Sequence, residues 1–212
     1  MTNVKTYMKM YLNIILRRLG YMPVPQFPQA GVGSGLIFYR VLGPRKLRVL
    51  ISSRSSNVGP GSGISCGGWF ELKAMLDMPD GAMVTDAESA TREGWEEIPG
   101  LLNVLPEAVL LANAQMVFGA AVYKPYDRYG NSFHKVAYMA MAVTAAEEDA
   151  LCRLPKSSET SAPLRAVDLT WDGDSPTAED LRGMPGDFHH THEREAFAAL
   201  ARLAEVGRLW ER

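Results

Sequence analysis

Apolar positions first become regular over 35–41, Gly-Leu-Ile-Phe-Tyr-Arg-Val, and again over 47–54, Leu-Arg-Val-Leu-Ile-Ser-Ser-Arg. Each run is short and rich in strand formers, and Gly43-Pro44 between them turns the chain. The pair is expected to form a β-hairpin. Residues 57–63 form a glycine-rich loop, and Gly67-Gly68 follows as a turn. Thr85-Asp86-Ala87-Glu88 then has the form of a capping box, which opens a helix. Ala87, Ala90, Thr91, Gly94 and Ile98 recur at helical spacing and make a buried face of small residues, and Pro99-Gly100 stops the helix. Further strands are expected over 108–111, 115–123 and 134–144, with a short last one over 166–171. A final helix over 193–210 carries Phe197, Leu200, Leu203 and Val206 along one side. At the other end, Val4, Met8, Tyr11, Leu12 and Ile15 are spaced as on a helix, and a proline-rich linker follows over 22–28.

Composition sets the class. With 212 residues and 47% hydrophobic content the chain can build one full core and is not disordered. The expected organisation is a basic helix and linker over 1–30 and a globular domain over 31–212. No apolar run reaches membrane-spanning length. Cys66 and Cys152 stand far apart and give neither a disulfide framework nor metal-ligand spacing, so a reducing, cytoplasmic compartment is the default. The basic N-terminal segment also has the composition of a targeting presequence, against which stands a helix packed on the core or on a second subunit.

Charge changes the picture more. Residues 1–70 contain nine Lys or Arg and no Asp or Glu, while the net charge is −2, so the remainder is strongly acidic. Either an anion is handled by the first third, with Arg48 and Arg54 as candidate substrate-binding residues, or the two parts pair with each other inside the fold.

The acidic part has one concentrated feature. Arg92-Glu93-Gly94-Trp95-Glu96-Glu97 places three carboxylates at positions i, i+3 and i+4 of the expected helix, where they share a face. Such a face is either solvated or loaded with a hard cation, which prefers oxygen ligands.

These residues, with Gly67-Gly68-Trp69-Phe70-Glu71 upstream, resemble the Nudix box, G-x5-E-x7-R-E-U-x-E-E-x-G-U with U aliphatic, of the Nudix hydrolases. Arg92, Glu93, Glu96 and Glu97 occupy its R-E-x-x-E-E positions, and Leu101 fits the closing aliphatic one. The chain departs from the pattern in four ways. Gly68 and Arg92 enclose 23 residues, about ten more than the box, with 72–80 as the expected insertion. Val84 stands where the box has its first Glu. Gly94 replaces an aliphatic residue, and Pro99 adds one residue before the closing glycine.

The resemblance implies an α/β fold, an α+β sandwich with a mixed β-sheet packed between helices. It implies a pyrophosphohydrolase using Mg²⁺, or Mn²⁺ in its place. Glu93, Glu96 and Glu97 would be metal ligands, with the backbone carbonyl of Gly68, and Glu97, Glu96 and Arg92 would carry catalysis. Arg48, Arg54 and Glu71 are the candidate substrate contacts. The substrate is expected to be a nucleoside diphosphate linked to another group. RNA 5′ ends are an alternative, as is a non-catalytic nucleotide-binding regulator; a homodimer is left open, and no membrane is involved. Glu147, Glu148 and Glu159 are candidates for a general base, weighed against plain solvated surface. His189, His190 and His192 could hold a metal but suit a helix cap better. Trp69, Phe70, Tyr123, Tyr126 and Tyr129 could stack on a base, though each also suits packing. The glycines at 31, 33 and 35 and at 59, 61 and 63 lack the spacing of a dinucleotide fingerprint.

Overall fold

The computed structural model describes residues 32–54, 62–64, 66–69, 86–123, 133–157, 160–186 and 191–209. The N-terminal helix and linker, the insertion, the Thr85 cap, the 124–131 loop, Glu71, Glu159, His189 and His190 lie outside them. The chain divides into two units, and the larger comprises Ser34–Gly68, Asp86–Gly119 and Ala137–Arg212. Of the smaller unit, the described residues are the strand ends 32–33, 69, 120–123 and 133–136.

The hairpin forms as expected. Strands β1 (Val32–Gly43) and β2 (Lys46–Arg54) pair antiparallel from Tyr39↔Val49 to Gly43↔Lys46. Only Pro44 and Arg45 lie between them, and Arg45 adopts a left-handed φ of 53°. Proline sets the first turn position and a positive φ at the second completes a tight reversal. β2 then pairs with β3 (Ser62–Ile64) and, along its length, with β7 (Thr160–Thr170). The sheet order is β3-β2-β1-β6-β5, with β4 (Cys66–Trp69) on β1 and β7 on β2. β5 is Gln115–Tyr123 and β6 is Phe133–Ala142.

Five helices are described: α1 (Asp86–Glu97), α2 (Leu101–Val104), α3 (Glu107–Asn113), α4 (Ala145–Cys152) and α5 (Thr191–Glu205). None is long and apolar enough to cross a membrane. Leu36, Phe38, Leu50, Met139 and Met141 from the sheet join Ala90, Ile98, Leu101, Leu110 and Leu151 from the helical segments in one buried cluster. The alternate strand residues Ile37 and Tyr39 are buried as well. Side chains alternate between faces along a strand, so the sheet is covered on both. Tyr138 alternates with Met139 and is near Glu193 of α5; burial, then that carboxylate, pushes its phenol pKa up. The architecture is the expected mixed sheet with helices.

Several expectations need correction. Residues 108–111, read as a strand, belong to α3. Pro106 presets the entry, with φ −55°, and its carbonyl accepts from Val109 and Leu110 at 2.8 and 3.1 Å. A four-residue apolar run does not tell strand from helix, and only Leu110 of this one is buried. Gly67 and Gly68, read as a turn, lie within strand β4. The last strand is longer than expected, beginning at Thr160. Helix α4 was not anticipated, although Thr144 and Glu147 form a reciprocal capping box. Glu147 N donates to Thr144 Oγ1 at 3.2 Å, and Thr144 N donates to Glu147 Oε2 at 2.8 Å.

Candidate functional site

Helix α1 is built as its sequence suggests. Ala90, Thr91, Gly94 and Ile98 are buried and Ala87 is half-buried. Small side chains on this stripe let the helix approach the apolar cluster closely. The helix ends as Ile98 N donates to Gly94 O at 2.9 Å and Leu101 N to Ile98 O at 3.0 Å. Gly100 follows with φ 88°, where a Cβ would sit 3.2 Å from Leu154 Cδ2. Glycine therefore serves both the left-handed conformation and the close approach.

Glu93, Glu96 and Glu97 lie on this one unbroken helix, at i, i+3 and i+4. Glu97 is half-buried. The side chains of Arg92, Glu93 and Glu96 are outside the description, as is all of Glu71. Gly68 has its backbone in β4, which pairs with β1. Among the described residues no group of three His, Cys, Asp or Glu is placed to hold a metal. The donor chemistry nonetheless fits a hard cation: one half-buried carboxylate on α1 at Glu97, with a second carboxylate-bearing position one helical turn before it at Glu93 and a third beside it at Glu96.

The basic hairpin has a definite fate. Arg40 and Arg48 face each other across β1 and β2. Glu148 of α4, only 5% exposed, accepts from Arg40 Nε at 2.7 Å and from Arg48 at 3.3 Å. Asp168 lies opposite Arg48 on β7 and accepts from its Nε at 2.5 Å and from Lys46 Nζ at 3.1 Å. The hydrogen bond from Arg48 is the main cause that holds the Asp168 carboxyl below its ordinary pKa, and the same bond raises that of Arg48. Arg45 pairs with Asp174 and, at 3.4 Å, with Glu205. For these four cations the charge asymmetry resolves into pairing within the fold. Glu148, read as solvated surface or a base, is a buried clamp between two arginines. Arg54 closes β2 opposite Thr160, and its side chain is outside the description.

Beside α1 lies a cleft that sequence reasoning missed. Glu97 lines it, together with Ser52 of β2 and Lys156 from the segment joining α4 to β7. No motif marks Lys156; only the fold brings it to Glu97. His192 is half-buried at the start of α5, and nothing described joins it to a metal-binding group.

No family model and no curated protein matches this chain. Among solved structures it is similar to a Nudix hydrolase from M. smegmatis, RenU, at 14% identity over 88% of this chain and 93% of that one, with a TM-score of 0.44. It is similar to the NUDIX domain of Shewanella oneidensis NrtR complexed with ADP ribose, at 9% identity over 71% and 80%, with a TM-score of 0.41. It is also similar to the E. coli dihydroneopterin triphosphate pyrophosphohydrolase, at 14% identity over 78% and 90%, with a TM-score of 0.38.

Proposed function

We propose that the chain is a Nudix-type pyrophosphohydrolase, dependent on Mg²⁺, that cleaves a phosphoanhydride in a nucleoside diphosphate linked to another group. One observation carries this reading. Arg92, Glu93, Glu96 and Glu97 stand in the R-E-x-x-E-E spacing on a single uninterrupted helix, seated on the core by a stripe of small residues. Glu93, Glu96 and Glu97 would hold the metal, with the Gly68 carbonyl as a further oxygen donor. When bound, Mg²⁺ neutralises charge on the diphosphate and lowers the pKa of a water. Arg92 would orient the glutamates through charge-assisted hydrogen bonds. Water oxygen bonds to one phosphorus, the anhydride P–O bond breaks, and the released proton passes to a basic oxygen of the site. Two phosphate products leave.

Screening a panel of nucleotide anhydrides with Mg²⁺, and identifying both products, tests the reading and shows which phosphorus is attacked. Hydrolysis of at least one diphosphate-linked nucleotide is the expected result; hydrolysis of none overturns it.

A second reading, a nucleotide-binding module without catalysis, draws on the lengthened spacing, Val84 and Gly94. Calorimetric titration with Mg²⁺ separates the two, since absence of metal binding at millimolar concentration favours the module. A 5′-RNA substrate draws on the acid-free first third. That draw is weakened because Arg40, Arg45, Lys46 and Arg48 are each engaged by a carboxylate. A flat salt dependence of RNA binding counts against it.

A further inference from the structure

We propose that the free edge of β5 is the seam of a symmetric dimer, in which residues 115–119 pair antiparallel with the same residues of a second copy of this chain and the uncharged face of α3 flanks the seam. The dimer is independent of the chemistry proposed for α1.

The margins of the sheet differ in how they are protected. A strand at the end of a sheet presents a row of N–H and C=O groups ready to pair with another chain, and folds usually blunt such edges with shortness, charge, proline or irregular register. This sheet does so at its other margins. β3 has three residues and β4 has four. β7 contains Pro163 and the exposed Arg165, and its register with β2 shifts on both sides of Ser53. β5 closes the sheet beyond β6. It runs for nine residues with neither a charge nor a proline.

The helix that leads into β5 has the same character. Ala108, Leu111 and Ala112 are exposed and stand at i, i+3 and i+4 of α3, so they share a face. Leu111 is 37% exposed and Met116 51%, which places both among the large apolar side chains left open to solvent. Residues 108–119 contain no charged side chain, in a chain where 22% of residues are charged.

That absence of charge points to a second copy as the occupant. Across a two-fold axis the same patch meets itself, so a charged seam would repel its own copy. Residues 108–119 give a copy nothing to repel and give an ionic partner nothing to complement. Pairing over 115–119 centres on Val117 and caps the edge in both chains at once. It sets Met116 diagonally across from its copy, about 7–8 Å away and within reach of long side chains. Five paired residues make a seam of about 17 Å. That is short for a stable interface of about 800 Å² per partner, so association in the micromolar range is expected.

Sedimentation velocity on the full chain, from low micromolar to high micromolar concentration, tests this. The wild type is expected to pass from monomer to dimer. Met116→Lys and Met116→Glu should each weaken dimerisation at least about tenfold, because like charges then face each other. An equimolar mixture of the two should recover the dimer. Ala166→Lys, at an exposed position of β7, should associate as the wild type does. Hydrogen exchange on the wild type provides a second readout, with protection of the 115–119 amides rising with protein concentration. A wild type that stays monomeric overturns the proposal. So does unweakened association of Met116→Lys, or a mixture of the two charged variants that remains monomeric. Protection of 115–119 that is the same at every concentration overturns it too, since a segment of the same chain then covers the edge. Should either charged variant lose its fold, the concentration dependence of exchange in the wild type decides alone.

Discussion

Two arginines directly opposed on neighbouring strands repel each other, and Arg40 and Arg48 occupy that arrangement. The fold resolves it with Glu148, which is buried and accepts from both. Removing the carboxylate in Glu148→Ala leaves the two guanidinium groups facing each other across the hairpin. A loss of about 2 kcal/mol of stability in urea denaturation is expected, moderated by the arginines' partial exposure to water. Asp168 is different, because its pKa is depressed, first by the Arg48 hydrogen bond. A depressed carboxylate stabilises the fold above the ordinary Asp value of about 3.9, and that contribution is lost as pH falls through the lower native value. Asp168→Asn should therefore be less stable than wild type at neutral pH. The gap in melting temperature should close in acid below the native Asp168 pKa, and a gap that persists there would count against the ion pair as its cause. Little of this was legible in the chain. The run of cations and the acidic remainder could be counted, but which carboxylate meets which cation depends on strand register and on a helix that was not foreseen.

At the scale of elements, α1 was the most legible, because start, stop and periodicity agreed. The sequence marks Ala87, Ala90, Thr91, Gly94 and Ile98 as a close-packed face, and the structure buries the last four and half-buries Ala87. Ala90→Leu should overpack that contact and cost about 1–3 kcal/mol, measurable as a lowered urea midpoint. If α1 carries the site, Mg²⁺ affinity should fall with it. Helix α4 was legible in principle. Thr144 and Glu147 form a capping box and have the same sequence spacing as Thr85 and Glu88, but the apolar run before them extends the expected strand to Thr144. Thr144→Ala should cost about 1 kcal/mol. Helix α3 was misread for a physical reason: its apolar run is too short to show a period. Its entry is set by Pro106, and only Leu110 reaches the core.

For the whole molecule, the hairpin, β5, β6, α1 and α5 follow from periodicity and turn chemistry, which act locally. The cleft lined by Glu97 and Lys156 does not, because its segments are brought together only by the return of β7 along β2. The central claim is that the carboxylates of α1 support metal-dependent hydrolysis of a phosphoanhydride. Glu97 is half-buried, and Glu97→Gln keeps its shape while removing its charge. The most direct measurement compares the Mg²⁺-dependent hydrolysis rate of wild type and Glu97→Gln on a substrate from the anhydride screen, with melting temperatures to confirm that both are folded. A fall of roughly 100-fold or more is expected for Glu97→Gln; equal rates in two folded proteins would contradict the assignment.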